Sequence, residues 1–172
     1  AGGVALNCVA NGKVVRETPM KNIFVQPAAG DAGGSIGVAM YIYNTLLKNP
    51  RKYQGKRFNP FLGPGYTTAE VRQYLDEHGI KYDAPSRPDL MSKVANLVNE
   101  QQVIGWFQGR MEFGPRALGN RSIIADPRNP ANKDVVNLKI KFRESFRPFA
   151  PSILAERCQE YFDVPCESPY ML

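Results

Sequence analysis

The stretch Gly105-Trp106-Phe107-Gln108-Gly109-Arg110-Met111-Glu112-Phe113-Gly114-Pro115-Arg116-Ala117-Leu118-Gly119-Asn120-Arg121-Ser122 decides how this chain is read. Its first residues complete an apolar run, Val103–Phe107, that predicts a strand around Trp106. After that strand, Arg110, Arg116 and Arg121 stand among Gly109, Gly114 and Gly119. Arginine is always protonated and forks onto phosphate oxygens. The glycines and Pro115 punctuate the backbone so that it can turn beneath a ligand. Glu112 is placed to hold one of the arginines. The plainer alternative, arginines serving only solubility, fits poorly with a Gly-Pro-rich turn. Ser122–Ala125 predicts the next strand.

Downstream, a helix is expected near Lys133–Lys141 and a strand over Phe149–Leu154. From Lys139 to Arg147, basic and aromatic residues alternate, as on an extended segment with one apolar face. Lys141, Arg143 and Arg147 are candidates to meet Arg116 on a polyanion. The net charge is +6, and residues 110–147 carry nine basic against four acidic side chains. That concentration points to an anionic partner: a phosphate ester, a nucleotide or a nucleic acid. Interleaved basic and aromatic residues also describe single-strand RNA sites, so a basic RNA-binding module stays as the rival reading.

Upstream, Pro88–Asn99 predicts a helix with Leu90, Val94, Leu97 and Val98 on one face, and Ile80–Tyr82 a short strand. Thr67 or Thr68 can cap a further helix, with Glu70 in its first turn, Val71, Tyr74 and Leu75 on its apolar face, and Gly79 past its end. His78 reads as structural there, its charge favoured by the helix C-terminus. Residues 49–66 are polar and marked by Pro and Gly, which suggests a linker over 51–66. Before it, Asp31–Leu47 predicts a helix whose Gly33 and Gly37 share one face and permit close backbone approach. Asn22–Gln26 reads as a strand stopped by Pro27, Val4–Leu6 as a strand end, and Asn7 as the cap of a helix over Cys8–Val15. Both parts are therefore expected to be α/β.

Two further loops are candidate sites. Gly2-Gly3-Val4-Ala5-Leu6-Asn7 leads into a helix and suits an anion or ribose, or is a tight turn between strands. Pro27–Gly37 follows a strand and opens a helix, but it is neither a dinucleotide fingerprint, since Ala32 stands where a glycine is needed, nor a Walker loop. Asp31 there is either a metal or phosphate-bridging carboxylate or an N-cap.

Composition excludes other classes. At 172 residues, 43% hydrophobic and 22% charged, the chain is globular rather than disordered or fibrous. No apolar run is long enough for a membrane span, and a cytoplasmic location is the default expectation. Cys8, Cys158 and Cys166 are too few for a disulfide framework and read as buried small hydrophobes. One histidine excludes a self-contained His-rich metal centre. The chain opens on Ala1-Gly2-Gly3 without Met and stops at Tyr170-Met171-Leu172, so a piece of a longer protein is expected.

These motifs, with Gly30-Asp31-Ala32-Gly33-Gly34, Phe113–Ser122, Lys141-Phe142-Arg143-Glu144 and Arg147–Pro151, closely resemble the O-carbamoyltransferases of nodulation-factor and antibiotic biosynthesis. The resemblance implies residues 1–50 as the C-terminal part of an actin-like ATPase-superfamily domain that transfers carbamoyl. It implies residues 67–172 as the N-terminal part of a YrdC-like domain that forms carbamoyl-adenylate from carbamoyl phosphate and ATP. By the same resemblance Arg116, Lys141 and Arg147 are the catalytic cations that hold carbamoyl phosphate and the adenylate. Gly2, Gly3, Asn7, Arg121, Ser122 and Arg143 contact substrate or nucleotide, and Asp31 is a metal ligand, for Fe2+. ATP would bring Mg2+. The implied partners are carbamoyl phosphate, ATP, an acceptor hydroxyl compound and the remainder of the parent chain, with no membrane and with RNA disfavoured. The family's histidine ligands have no counterpart before His78, so binding without full turnover is expected of this chain alone.

Overall fold

A computed structural model describes residues 2–20, 22–52, 57–164 and 167–172. Ala1, residues 53–56 within the expected linker, and Cys166 lie outside the described residues. The chain divides into two compact units. The first is Ala1–Pro64, Arg110–Leu118 and Cys158–Leu172; the second is Gly65–Gly109 and Gly119–Arg157.

In the first unit, a 3-10 turn over Gly3–Leu6 precedes helix α1, Cys8–Glu17. Asn7 caps α1 as its sequence suggests: its side-chain oxygen accepts the Ala10 N–H at 3.1 Å. Helix α2, Asp31–Tyr41, runs on as a π-helix over Ile42–Leu46. Val4–Leu6 is thus a helical turn, not a strand end. Asn22–Gln26 is not a strand either. An apolar run becomes a strand only where a neighbour accepts its backbone hydrogen bonds, and the described residues of this unit contain no strand at all.

The second unit opens with α3, Thr68–Glu77, and α4, Arg87–Asn99. Thr67 and Glu70 form a reciprocal capping box, with Thr67 N–H donating to Glu70 at 2.7 Å and Glu70 N–H to Thr67 Oγ1 at 3.2 Å. Gly79 past the helix has φ +63, the left-handed value that glycine takes readily. His78 is the C-cap, stacked on Tyr74 with its Nδ1 2.8 Å from the Tyr74 carbonyl. In α4 the half-buried positions are Leu90, Val94, Leu97 and Val98, the face the sequence spacing marks.

Strands β1, Ile104–Phe107, and β2, Arg121–Ile124, pair antiparallel with Phe107 opposite Arg121. The intervening chain, Arg110–Leu118, belongs to the first unit. Helix α5, Ala131–Asp134, continues as a π-helix over Val135–Ile140. Ile80–Tyr82 and Phe149–Leu154 are irregular, so the described chain is mixed α/β with one two-stranded sheet. The alternating run from Lys139 is a helix end followed by turns, with Phe142 at φ 48, and not an extended segment.

Among the described residues, the buried side chains are the apolar Pro27, Ala28, Pro60 and Val136 and the polar Glu112, Asp126, Asn132 and Asn137. Much of the interior is therefore specified by hydrogen bonds, which hold directional turns as apolar packing does not. Cys8 is exposed and Cys158 half-buried, contrary to the expectation of buried small hydrophobes. No helix among the described residues is long and apolar enough to cross a membrane.

Candidate functional site

The first unit brings three motifs together that lie far apart in sequence. Gly2 N–H donates to the Ala29 carbonyl at 2.9 Å, which ties the opening turn to the loop entering α2. Arg116 Nη2 donates to the Leu6 carbonyl at 3.1 Å, across 110 residues of sequence. Gly114, at φ +127, lies against the same loop: a Cβ there would stand 3.2 Å from the Pro27 carbonyl oxygen and 3.3 Å from the Ala28 side chain. The left-handed backbone favours glycine there, and an added Cβ would be a tight fit.

Arg116 is half-buried, and its Nε lies buried with no hydrogen-bond partner among the described residues. Such a donor is costly to leave unmet. Glu112 is buried and accepts the Leu118 N–H at 2.6 Å, so its carboxylate closes the Phe113–Ala117 loop on itself. Arg110 donates to the carbonyls of Gly63 and Leu62 at 2.9 and 2.8 Å. These two arginines therefore brace loop backbone.

Gly30 is the N-cap of α2, without a side-chain cap bond, and Asp31 is the exposed first residue of the helix. A carboxylate there favours the helix dipole. The N-cap reading of Asp31 is thus corrected by one position. Among the described residues no three His, Cys, Asp or Glu side chains come together, so Asp31 alone does not compose a metal centre.

The remaining candidates lie in the second unit. Arg121 opens β2, and Ser122 Oγ accepts the Gly119 N–H at 3.0 Å, closing the turn before the strand. Lys141, Arg143 and Arg147 belong to the turn after the π-helix. Arg143 Nε donates to Asn137 Oδ1 at 2.8 Å, and its guanidinium lies 5.0 Å from the Phe149 ring centre. Arg147 Nε donates to Glu144 at 2.9 Å. The Glu144 carboxyl is held below its ordinary range by its own backbone N–H and then by Arg147. Lys141 is exposed. Leu138, Phe142, Arg143 and Glu144 line a shallow, open hollow of about 490 Å³ on this turn.

Two polar centres in the second unit have no counterpart among the candidates read from sequence. Asp126 is buried and accepts from Gln101 at 2.7 Å, from the Arg128 backbone at 2.9 Å and from the Arg128 guanidinium at 2.7 Å. The Arg128 hydrogen bonds hold its carboxyl far below the usual range. Asn132 joins the cluster through the Asp126 carbonyl at 2.9 Å and Gln101 Oε1 at 3.1 Å. The other centre is Asn137. The turn-forming run Asp126-Pro127-Arg128-Asn129-Pro130 is the one local signal for the first.

The comparisons with known proteins divide the chain by sequence rather than by structural unit: the C-terminal match includes Arg110–Leu118 and Cys158–Leu172, which belong to the first unit. Residues 1–40 match the carbamoyltransferase N-terminus family and residues 95–172 the carbamoyltransferase C-terminus family. The chain belongs to the O-carbamoyltransferase family. Three relatives of this carbamoyltransferase chain give its range. An uncharacterized protein of Synechocystis is 55% identical over 176 residues, 100% of this chain and 29% of the relative. Nodulation protein NolNO of Sinorhizobium fredii is 47% identical over 176 residues, 99% of this chain and 25% of the relative. The 3'-hydroxymethylcephem-O-carbamoyltransferase of Streptomyces clavuligerus is 31% identical over 176 residues, 100% of this chain and 31% of the relative. The chain thus spans between a quarter and a third of the length of these relatives.

Proposed function

We propose that this carbamoyltransferase chain carries part of the machinery that moves a carbamoyl group from carbamoyl phosphate, with ATP, onto an acceptor hydroxyl. The observation that carries the reading is the match of both halves of the family, in order, to the two groups of motifs. The expected route runs through carbamoyl-adenylate. To form it, water cleaves carbamoyl phosphate to carbamate and phosphate, and a carbamate oxygen displaces pyrophosphate from the ATP α-phosphorus. AMP then leaves as the acceptor oxygen takes the carbamoyl group, and fixed positive charge favours each anionic departure. In this reading the basic turn of Lys141, Arg143 and Arg147 receives carbamoyl phosphate, a small dianion.

Residues 1–50 are the proposed nucleotide-facing part, with an actin-like origin; residues 67–172 are the proposed YrdC-like part. Gly2, Gly3 and Asn7 border one helix start, and Gly30 and Asp31 form another. The unmet Arg116 Nε is a donor that an anionic oxygen would satisfy. ATP would bring Mg2+, and Asp31 would offer one carboxylate to a metal needing further ligands. The RNA-binding alternative is not favoured, because the basic–aromatic segment does not form the extended stacking surface that reading requires.

Equilibrium dialysis of the chain against radiolabelled carbamoyl phosphate tests the assignment. Saturable uptake is expected, reduced about tenfold or more by Lys141→Ala or Arg147→Ala, each of which removes a charge-assisted contact. Uptake unaffected by both substitutions would overturn the assignment of the turn.

A further inference from the structure

We propose that Asn137 is a positioning residue for the anion-binding turn 141–147, an inference that rests on the reading of that turn as the carbamoyl phosphate site. Asn137 is completely enclosed, in a chain with few enclosed side chains. Burying a primary amide costs free energy unless its donors and acceptor are met. Among the described residues they are met by the turn. Its Nδ2 donates to the carbonyls of Arg147 at 2.9 Å and Ser145 at 3.3 Å. Its Oδ1 accepts from Arg143 Nε at 2.8 Å, and its backbone carbonyl accepts the Arg143 N–H at 3.0 Å.

The consequence for the turn is specific. One side chain fixes the backbone at residues 145 and 147 and the guanidinium plane of Arg143 together. With Nε of Arg143 committed to Asn137 and Nε of Arg147 to Glu144, the terminal guanidinium nitrogens are the donors available to an anion. Phe142, at φ 48, enters this turn in a left-handed conformation that a bulky side chain keeps only when its surroundings enforce it. Backbone hydrogen bonds from Lys141 N–H to Val136 and from Arg143 N–H to Asn137 flank Phe142, and the Asn137 side chain holds the residues that follow. An apolar residue of equal size would fill the space and hold none of these groups.

The test measures carbamoyl phosphate affinity of the folded chain, well below its melting temperature, for wild type, Asn137→Ala, Asn137→Asp and the control Asn132→Ala. Asn132 is buried in the same unit and loses comparable hydrogen bonds, but it belongs to the Asp126 cluster. Asn137→Ala is expected to weaken binding about tenfold or more, while Asn132→Ala stays within about twofold of wild type at similar destabilisation. Asn137→Asp gives a second readout if the alanine variant does not fold. As a carboxylate it accepts from Arg143 but faces two carbonyl oxygens; when protonated it donates to one of them. Its affinity relative to wild type at the same pH is therefore expected to recover on acidification. Equal losses in Asn137→Ala and Asn132→Ala, or a flat relative pH profile for Asn137→Asp, would make the role merely structural and overturn the inference. Retention of affinity by both alanine variants would overturn it while leaving the turn's assignment standing. Absence of binding by wild type would remove that assignment, and the inference with it.

Discussion

Gly33 and Gly37 occupy the same face of α2, yet adding one methyl group should move stability in opposite directions. A Cβ on Gly37 would have nothing within 4 Å, so Gly37→Ala meets no obstacle. Alanine is about 0.8–1 kcal/mol better than glycine in a helix interior, and that is the expected gain. A Cβ on Gly33 would lie 2.1 Å from the Ala28 carbonyl oxygen and 3.1 Å from its carbonyl carbon. Contact that close requires the backbone to retreat by roughly 1 Å, given ordinary carbon contacts of about 3.5 Å. Ala28 cannot move freely, because it is fully buried with Gly114 against it. Overpacking of this kind costs about 1–3 kcal/mol, which exceeds the helix-propensity gain. Net destabilisation by Gly33→Ala and net stabilisation by Gly37→Ala are expected from urea unfolding followed by circular dichroism. The two variants should differ by about 1–3 kcal/mol, the cost of the clash, since the propensity gain is common to both. A Gly33→Ala chain as stable as wild type, or shifts of the same sign in both variants, would refute the close approach of the Ala28 loop to α2.

Other expectations follow from the second unit. Asp126 is held below its ordinary pKa in the fold, so its stabilising contribution is complete above about pH 4 and declines as pH falls toward the depressed native value. Urea midpoints measured from neutral to acidic pH should therefore drop for wild type, with a smaller acid-dependent drop in Asp126→Asn; identical profiles would contradict the cluster. Thr67→Ala removes the side-chain half of the capping box and should cost about 1 kcal/mol, read as a lowered melting temperature. Leu47, 64% exposed after the π-helix, should tolerate Leu47→Gln within about 0.5 kcal/mol by the same unfolding assay.

The local signals that proved legible are those whose physics is complete within a few residues. Asn7, Thr67 with Glu70, and Gly79 each satisfy or release a helix end by themselves, and α4 shows its buried face in its spacing. Ile23-Phe24-Val25, Ile80–Tyr82 and Phe149–Leu154 carry strand composition, but a strand needs a partner that composition does not name. The sites divide similarly. The Gly-Pro-Arg turn announces itself by residue type, whereas the contact of Arg116 with Leu6 spans 110 residues and is set by tertiary structure. Asn137 was illegible for the same reason: inside a helical run it looks like an ordinary polar position, and only the returning turn gives its amide a purpose.

The central claim is that this carbamoyltransferase chain recognises carbamoyl phosphate as such, and calorimetric titration tests it most directly. Carbamoyl phosphate and orthophosphate are titrated separately into the folded chain under identical conditions. Saturable binding that prefers carbamoyl phosphate is the predicted result. Equal affinity for the two anions, or no binding to a folded sample, would contradict the claim.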